Sequence, residues 1–331
     1  MKMMTSKNNT VDIIRELLHN ADNILLTSHI RPDGDAIGSL LGLGLALMAT
    51  GKDVQMVLAD GLPATFKHLS GADQVLTDAQ QDYDLAVTVD CSDLERTGGT
   101  LGERQPDINI DHHITNLNYA RHNLVEDKAA TASIIAEHLK DWDLPITTPA
   151  AEALLTGIIT DTIGFSTSNM TGSCLRTAAM LVDHGANIHE LYNQALGTRS
   201  FSETKLWGIG LGRMQRKGRI VWTTLTEEDK KLANFTGKGS ADIVNLLTEI
   251  RDADIAIVFL ESGDETIKVS WRAKTPYDIS DLAVSFGGGG HPAAAGADIA
   301  GSMEDVKQKI LNATFDYLDK GTNPENNFSG L

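Results

Sequence analysis

Three histidines and five aspartates in this chain are spaced for metal-assisted chemistry, and each stands where an apolar run ends. His29, Asp33 and Asp35 follow Ile24-Leu25-Leu26, and Asp90 follows Leu85-Ala86-Val87-Thr88-Val89. Asp111, His112 and His113 close Ile108-Asn109-Ile110, and Asp161 follows the run from Leu154 to Thr160. Imidazole and carboxylate without thiolate is a donor set that suits manganese, with magnesium, iron or cobalt behind it. Two such ions about 3.5–4 Å apart, sharing a bridging carboxylate, can activate a water and stabilise both oxygens of an in-line displacement at phosphorus.

Each segment also has a plainer reading. Pro32 and Gly34 break regular structure and let the chain turn His29, Asp33 and Asp35 towards one centre, yet Asp-Gly-Asp alone is more often a surface turn. Asp90 alone fits a helix N-cap or turn equally well, and Asp161 could simply end a helix. His112 and His113 are adjacent, and neighbouring side chains on an extended strand point opposite ways. One of the two is therefore expected to bind a given metal while the other faces substrate, with Asp111 orienting an imidazole from behind.

The elements that must position these groups follow an α/β pattern up to about residue 190. Strands are predicted at Ile24–Ser28, Val54–Leu58, Leu85–Val89 and Ile108–Ile110, and helices at Val11–His19, Ala36–Thr50, Ala129–Asp141, Thr148–Thr160, Gly172–His184 and Ile188–Leu196. Alternation of this kind implies a mainly parallel sheet with helices on both faces, and ligands of open α/β sheets bind beyond the carboxyl ends of the strands. The predicted domains are a catalytic domain over 1–196, a connector over 197–217, a smaller α+β domain over 218–320 and a polar tail over 321–331. In the smaller domain, strands are expected at Arg219–Thr224, Ile255–Leu260, Thr266–Trp271 and Gly296–Ile299. Its helices are expected after Thr226, near Ile243–Ile250, at Ser280–Phe286 and at Met303–Leu318. The glycine-rich window Ala36–Thr50 is too short to span a bilayer and reads as a buried helix packed through Gly38, Gly42 and Gly44.

A net charge of −17 argues against a sequence-independent grip on long nucleic acid, which needs clustered Lys and Arg. Any phosphate-bearing substrate is then short. Two cysteines, Cys91 and Cys174, support neither a disulfide framework nor a thiolate zinc site and fit a reducing cytosol. With no apolar signal-like stretch near Met1, a soluble cytoplasmic protein is expected. Gly287–Gly290 could form a concave nest of backbone N–H groups for an anion, with His291 adding a donor. Arg272 could offer a forked guanidinium to a phosphate or make a surface salt bridge.

HIRPDGDAIGS (29–39), VDCS (89–92), NIDHH (109–113) and GIITDT (157–162) resemble, in order, the motifs of the DHH phosphoesterase family. GGGHPAAAG (288–296) resembles the GGGHxxAAG signature of that family's associated C-terminal domain. Within the family, the chain resembles two-domain members of the NrnA type, which are nanoRNases (oligoribonucleases) and pAp phosphatases. The resemblance implies that His29, Asp33 and Asp90 hold one manganese ion and that Asp35, Asp90, His112 and Asp161 hold the other, with Asp90 as the bridge. It implies His113 at the scissile phosphate, Asp111 behind it, and Arg272, Gly288, Gly289, Gly290 and His291 as substrate contacts in the second domain. Magnesium or cobalt could replace manganese.

Short oligoribonucleotides and 3′-phosphoadenosine 5′-phosphate (pAp) are the substrates so implied, with no membrane or long nucleic-acid partner and a homodimer left open. Cyclic di-AMP or its linear product pApA is the alternative substrate. A RecJ-like single-strand exonuclease lacks support because no basic track is present, a family II pyrophosphatase would lack the GGGHxxAAG pattern, and a catalytically dead sensor would have lost metal ligands. One departure stands out: Ser166 follows Phe165 where relatives often carry Arg.

Overall fold

The computed structural model describes residues 2–321 except 168, 238, 241 and 264. It divides into two compact units, Met1–Thr198 and Arg199–Leu331. Residues 322–331 of the expected polar tail lie outside the described residues, as does Ser168 in the run after Phe165.

In the first unit, β1 (Asn23–Thr27), β2 (Asp53–Val57), β3 (Val75–Leu76), β4 (Leu85–Val89), β5 (Ile108–Asp111) and β6 (His122–Val125) form one sheet in the order β3-β2-β1-β4-β5-β6. Every pair in it is parallel. Its helices are α1 (Lys2–Asn20), α2 (Gly34–Met48), α3 (Thr131–His138), α4 (Thr148–Asp161), α5 (Gly172–Asp183) and α6 (Ile188–Tyr192). Successive strand residues face opposite sides. Ile24, Leu26, Met56, Val87 and Ile110 join the main core with the helices, whereas Leu25, Val57 and Ala86 build a smaller cluster with Leu101.

The expected helix at Ala36–Thr50 forms as α2 and is buried almost throughout. A Cβ at Gly38 would come within 2.5 Å of the Ala153 carbonyl on α4 and one at Gly42 within 2.4 Å of Leu154, so these glycines let the two helices touch backbone to backbone. Gly44 instead meets Met56 of β2. The expected helix Ile188–Leu196 stops at Tyr192, and the chain widens into a π turn over Asn193–Gly197. The helix expected at Ala129–Asp141 is shorter, Thr131–His138, because residues 126–130 run as loop.

In the second unit the expected connector folds as α7 (Phe201–Gly212), opened by a capping box between Ser200 and Glu203. The strands β7 (Gln215–Lys217), β8 (Ile220–Leu225), β9 (Ile255–Glu261), β10 (Thr266–Ala273), β11 (Gly289–His291) and β12 (Ala294–Ala300) form a mixed sheet in the order β11-β12-β10-β9-β8-β7. Only the β8–β9 pair is parallel. The helices α8 (Glu227–Ala233) and α9 (Ile243–Thr248) close one face with α7, around Leu206, Val221 and Val258. The other face carries Phe259 and Trp271 packed with α10 (Ser280–Val284) and α11 (Met303–Gly321). Thr226 and Asp229 form the capping box of α8, and Arg213 pairs with Asp229. Among the described residues no helix is long and apolar enough to cross a membrane. Cys91 and Cys174 are free and buried.

Candidate metal centre

Strand β1 leads to β2 on one side and, across the sheet, lies beside β4 on the other, so the strand order reverses between β1 and β4. Such a switch point leaves a crevice at the carboxyl ends of the strands. Thr27 pairs with Thr88 and Val89 with Ile110. Extending that register sets His29 level with Asp90, and Asp90 level with Asp111, across three strand ends. The close approach of α2 and α4 then adds Asp35 from the first turn of one helix and Asp161 from the last turn of the other.

The resulting distances are short. His29 Nε2 lies 3.7 Å from Asp90 Oδ2 and 3.9 Å from Asp33 Oδ1. His112 Nε2 lies 3.7 Å from Asp90 Oδ1, 3.8 Å from Asp161 Oδ2 and 4.0 Å from Asp35 Oδ2. Three groups could each hold a cation: His29, Asp33 and Asp90; Asp35, His112 and Asp161; and Asp90, His112 and His113. Asp90 belongs to two of them.

Hydrogen bonds fix which imidazole atoms are free. His29 Nδ1 lies 2.8 Å from the Ile30 carbonyl and His112 Nδ1 3.1 Å from the Lys128 carbonyl. A carbonyl only accepts, so both Nδ1 atoms carry the proton and both Nε2 lone pairs face the carboxylates, the tautomer a metal ligand needs. His113 differs, because its Nδ1 donates to Asp111 Oδ1 at 2.8 Å and cannot also bind a metal through that atom. Its side chain is 37% exposed while Asp111 is fully buried. The third group is therefore the weakest of the three.

Behind the ligand atoms stands a layer that sequence reading missed. The Thr131 and Ala132 amides at the start of α3 donate to the two oxygens of Asp35 at 2.6 and 3.0 Å, and Thr131 Oγ1 donates to Asp90 Oδ1 at 2.9 Å. Asn116 Nδ2 donates to Asp111 Oδ2, and the amides of His112 and His113 donate to Asp111 Oδ1. Asp33 caps α2 through the amides of Asp35 and Ala36. Asp90 has φ 52°, a left-handed conformation that costs most residues about 1–2 kcal/mol but that Asp and Asn tolerate. It bends the chain so that the carboxylate looks back over the strand ends.

So many carboxylates cannot all ionise freely. Burial, with the charges of Asp90 and Asp161 beside it, pushes Asp35 well above the usual carboxylate range. Burial likewise pushes Asp161 up to about 6, against the pull of His112. Burial also opposes charge on Asp90, but His29, His112 and His113 outweigh it and hold that group low. A divalent cation supplies the missing positive charge, and these donors fit one. Divalent-metal affinity should accordingly fall as pH drops through about 6, by roughly tenfold per pH unit for each proton displaced. Calorimetric titrations with Mn2+ from pH 5 to 8, in buffers of different ionisation heat, read that proton release; a pH-independent affinity would contradict it.

In the second unit, cross-strand pairing aligns Arg272 of β10, Ala294 of β12 and His291 of β11 in one row. Directly paired residues share a sheet face. The neighbouring row is Ser270, Gly296 and Gly289, so small residues floor a shelf edged by Arg272 and His291. Arg272 is half-buried, with Nε on Asn245 Oδ1 at 3.2 Å and Nη1 on the Trp271 carbonyl at 2.9 Å. The concave nest expected at Gly287–Gly290 is corrected: the amides of Gly287 and Gly288 close the end of α10 on Val284 and Ala283, so the Gly288 N–H is committed. Gly289–His291 is an exposed edge strand instead. A Cβ at Gly288 or Gly290 would strike β12 backbone, while Gly289 faces open space.

The DHH family N-terminal domain matches residues 23–158 and the DHHA1 domain residues 228–320. The bifunctional oligoribonuclease and PAP phosphatase NrnA of Thermus thermophilus is 32% identical over 93% of this chain and 94% of its own length. Its namesake in Bacillus subtilis is 30% identical over 84% of this chain and 90% of its own length. Among solved structures, an exopolyphosphatase-related protein from Bacteroides fragilis matches with a TM-score of 0.83 and 25% identity, covering 94% of this chain and 96% of that one. The chain belongs to the DHH phosphoesterase family and is a hydrolase of phosphate esters.

Proposed function

We propose that this protein is a manganese-dependent hydrolase that degrades very short oligoribonucleotides to mononucleotides and converts pAp to AMP. The observation that carries the reading is the convergence of His29, Asp33, Asp35, Asp90, His112 and Asp161 at one sheet edge. Two relatives similar along nearly their whole length are named for both activities, which adds support. In this reading His29, Asp33 and Asp90 hold one ion, Asp35, Asp90, His112 and Asp161 hold the other, and Asp90 is shared. Cations held there would lower the pKa of a water and neutralise charge on the phosphoryl oxygens.

The chain's own groups do the rest. Asp111 fixes the His113 ring, leaving Nε2 to hold a proton for the leaving oxygen as the P–O bond breaks. The Arg272–His291 row, with its floor of Ser270, Gly296 and Gly289, offers a grip for a phosphate or base, Asn245 steadying the guanidinium. The high net negative charge discourages longer chains.

A single panel tests the reading: purified protein with Mn2+ against pAp, pApA, cyclic di-AMP, RNA of two to five nucleotides, long single-stranded DNA and pyrophosphate. Mononucleotides from the short RNAs and phosphate from pAp are expected. Preference for cyclic di-AMP would move the substrate to the cyclic dinucleotide, and preference for long DNA or pyrophosphate would overturn the proposal.

A further inference from the structure

One residue beside the metal centre is held in a conformation its side chain disfavours. Ile163, two positions after Asp161, has φ 47° and a 63% exposed side chain. Single exposed apolar residues are ordinary, but a β-branched residue in the left-handed region is not, and asparagine or glycine would sit there without strain. The loop leaves it no alternative. Thr162 is fully buried, its hydroxyl donating to the Ile158 carbonyl at 2.6 Å and accepting from the Phe165 amide at 2.9 Å. The Gly164 amide reaches the Ile159 carbonyl at 2.8 Å, and Phe165 packs on the main core. With both neighbours anchored inward, Ile163 is turned out to solvent. Strain kept in place by such over-determination is a pointer to function.

A second exposed isoleucine sits in the segment that carries His112 and His113. Ile114 directly follows His113 and is 84% exposed. The loops bearing the two isoleucines meet where His112 Nε2 and Asp161 Oδ2 stand 3.8 Å apart. Exposed apolar side chains one and two residues from His113 and Asp161, next to a charged phosphate site, complement a ligand that is anionic at one atom group and flat and apolar just beyond it, as a nucleotide is.

We propose that Ile163 and Ile114 form a nucleobase seat beside the metal centre, selecting esters whose reacting phosphate carries a nucleoside. The proposal rests on the functional reading above and adds a specificity determinant to it. The test compares full-length wild type, Ile163→Asn and Ile114→Ser, each with Mn2+, on an RNA dinucleotide and on the same dinucleotide made abasic at either position. Wild type should prefer the intact dinucleotide to one of the abasic forms. In both variants that preference, as a ratio of kcat/KM, should shrink by roughly tenfold, the low end for one lost apolar contact, through KM rather than kcat. Ile163→Asn should melt at or above the wild-type temperature, because asparagine tolerates the left-handed backbone. An unchanged preference in both variants, or a lower melting temperature for Ile163→Asn, would overturn the seat. A wild type inactive on every dinucleotide would instead overturn the functional reading, and the seat with it.

Discussion

Replacing Asp90 with Asn should lower turnover by at least roughly a hundredfold and weaken metal binding in the same variant, since even outer partners of metal ligands are worth 10–100-fold. The carboxylate lies 3.7 Å from both His29 Nε2 and His112 Nε2, so each oxygen serves a different imidazole. Thr131 holds the oxygen nearer His112. Asparagine is the informative substitution because Asp90 sits at φ 52°, where alanine would add backbone strain and confuse the outcome. An amide keeps the shape and removes the charge that His29, His112 and His113 stabilise. Metal content measured beside activity distinguishes the result: near-normal turnover with full metal would refute a shared ligand at this position.

That the side chains of the candidate site come together was legible in the sequence because a parallel sheet gathers the carboxyl ends of its strands on one side. Any polar residue that stops a buried run there is thereby aimed at its neighbours, and His29, Asp90 and Asp111 each stop one. Asp35 and Asp161 arrive by a different route, the contact between α2 and α4 at Gly38 and Gly42; the glycine spacing of α2 suggested a closely packed buried helix but not its partner. The supporting layer was not legible. Thr131, Asn116 and the Lys128 carbonyl act through loops and a helix start that bring distant segments together, and nothing local marks them. The strands that escaped notice, β3, β6, β7 and β11, are two to four residues long and lie at or beside sheet edges. Edge strands need no apolar alternation; Gln215-Arg216-Lys217 is exposed throughout. The nest expected from four glycines failed because α10 ends just before them and takes two of their amides, a requirement visible only once the helix is in place.

Replacing His113 with Ala should separate chemistry from metal binding. Because Nδ1 is committed to Asp111, removal of this ring should lower kcat by about 10²–10⁴-fold, the range for a lost proton donor, and leave metal content as in wild type. The pH dependence carries a second signature. The hydrogen bond to Asp111 raises the His113 pKa above the ordinary value, with burial opposing it and the charges of Asp111, Asp90 and Asp161 adding to it. The imidazolium is thus fully present below the ordinary histidine range and is lost as pH rises through the raised value. In wild type the rate should fall on that alkaline limb, and in His113→Ala the limb should vanish. Metal loss in His113→Ala would put this ring among the ligands, and an alkaline limb that persists unchanged would assign the proton to another group. Read beside Asp90→Asn, the two variants distinguish a residue that holds cations from one that meets the ester. Asp111 underlies that expected difference: buried and accepting from the His112 and His113 amides and from Asn116, it also takes the His113 Nδ1 proton in a hydrogen bond, so the ring can act only through Nε2.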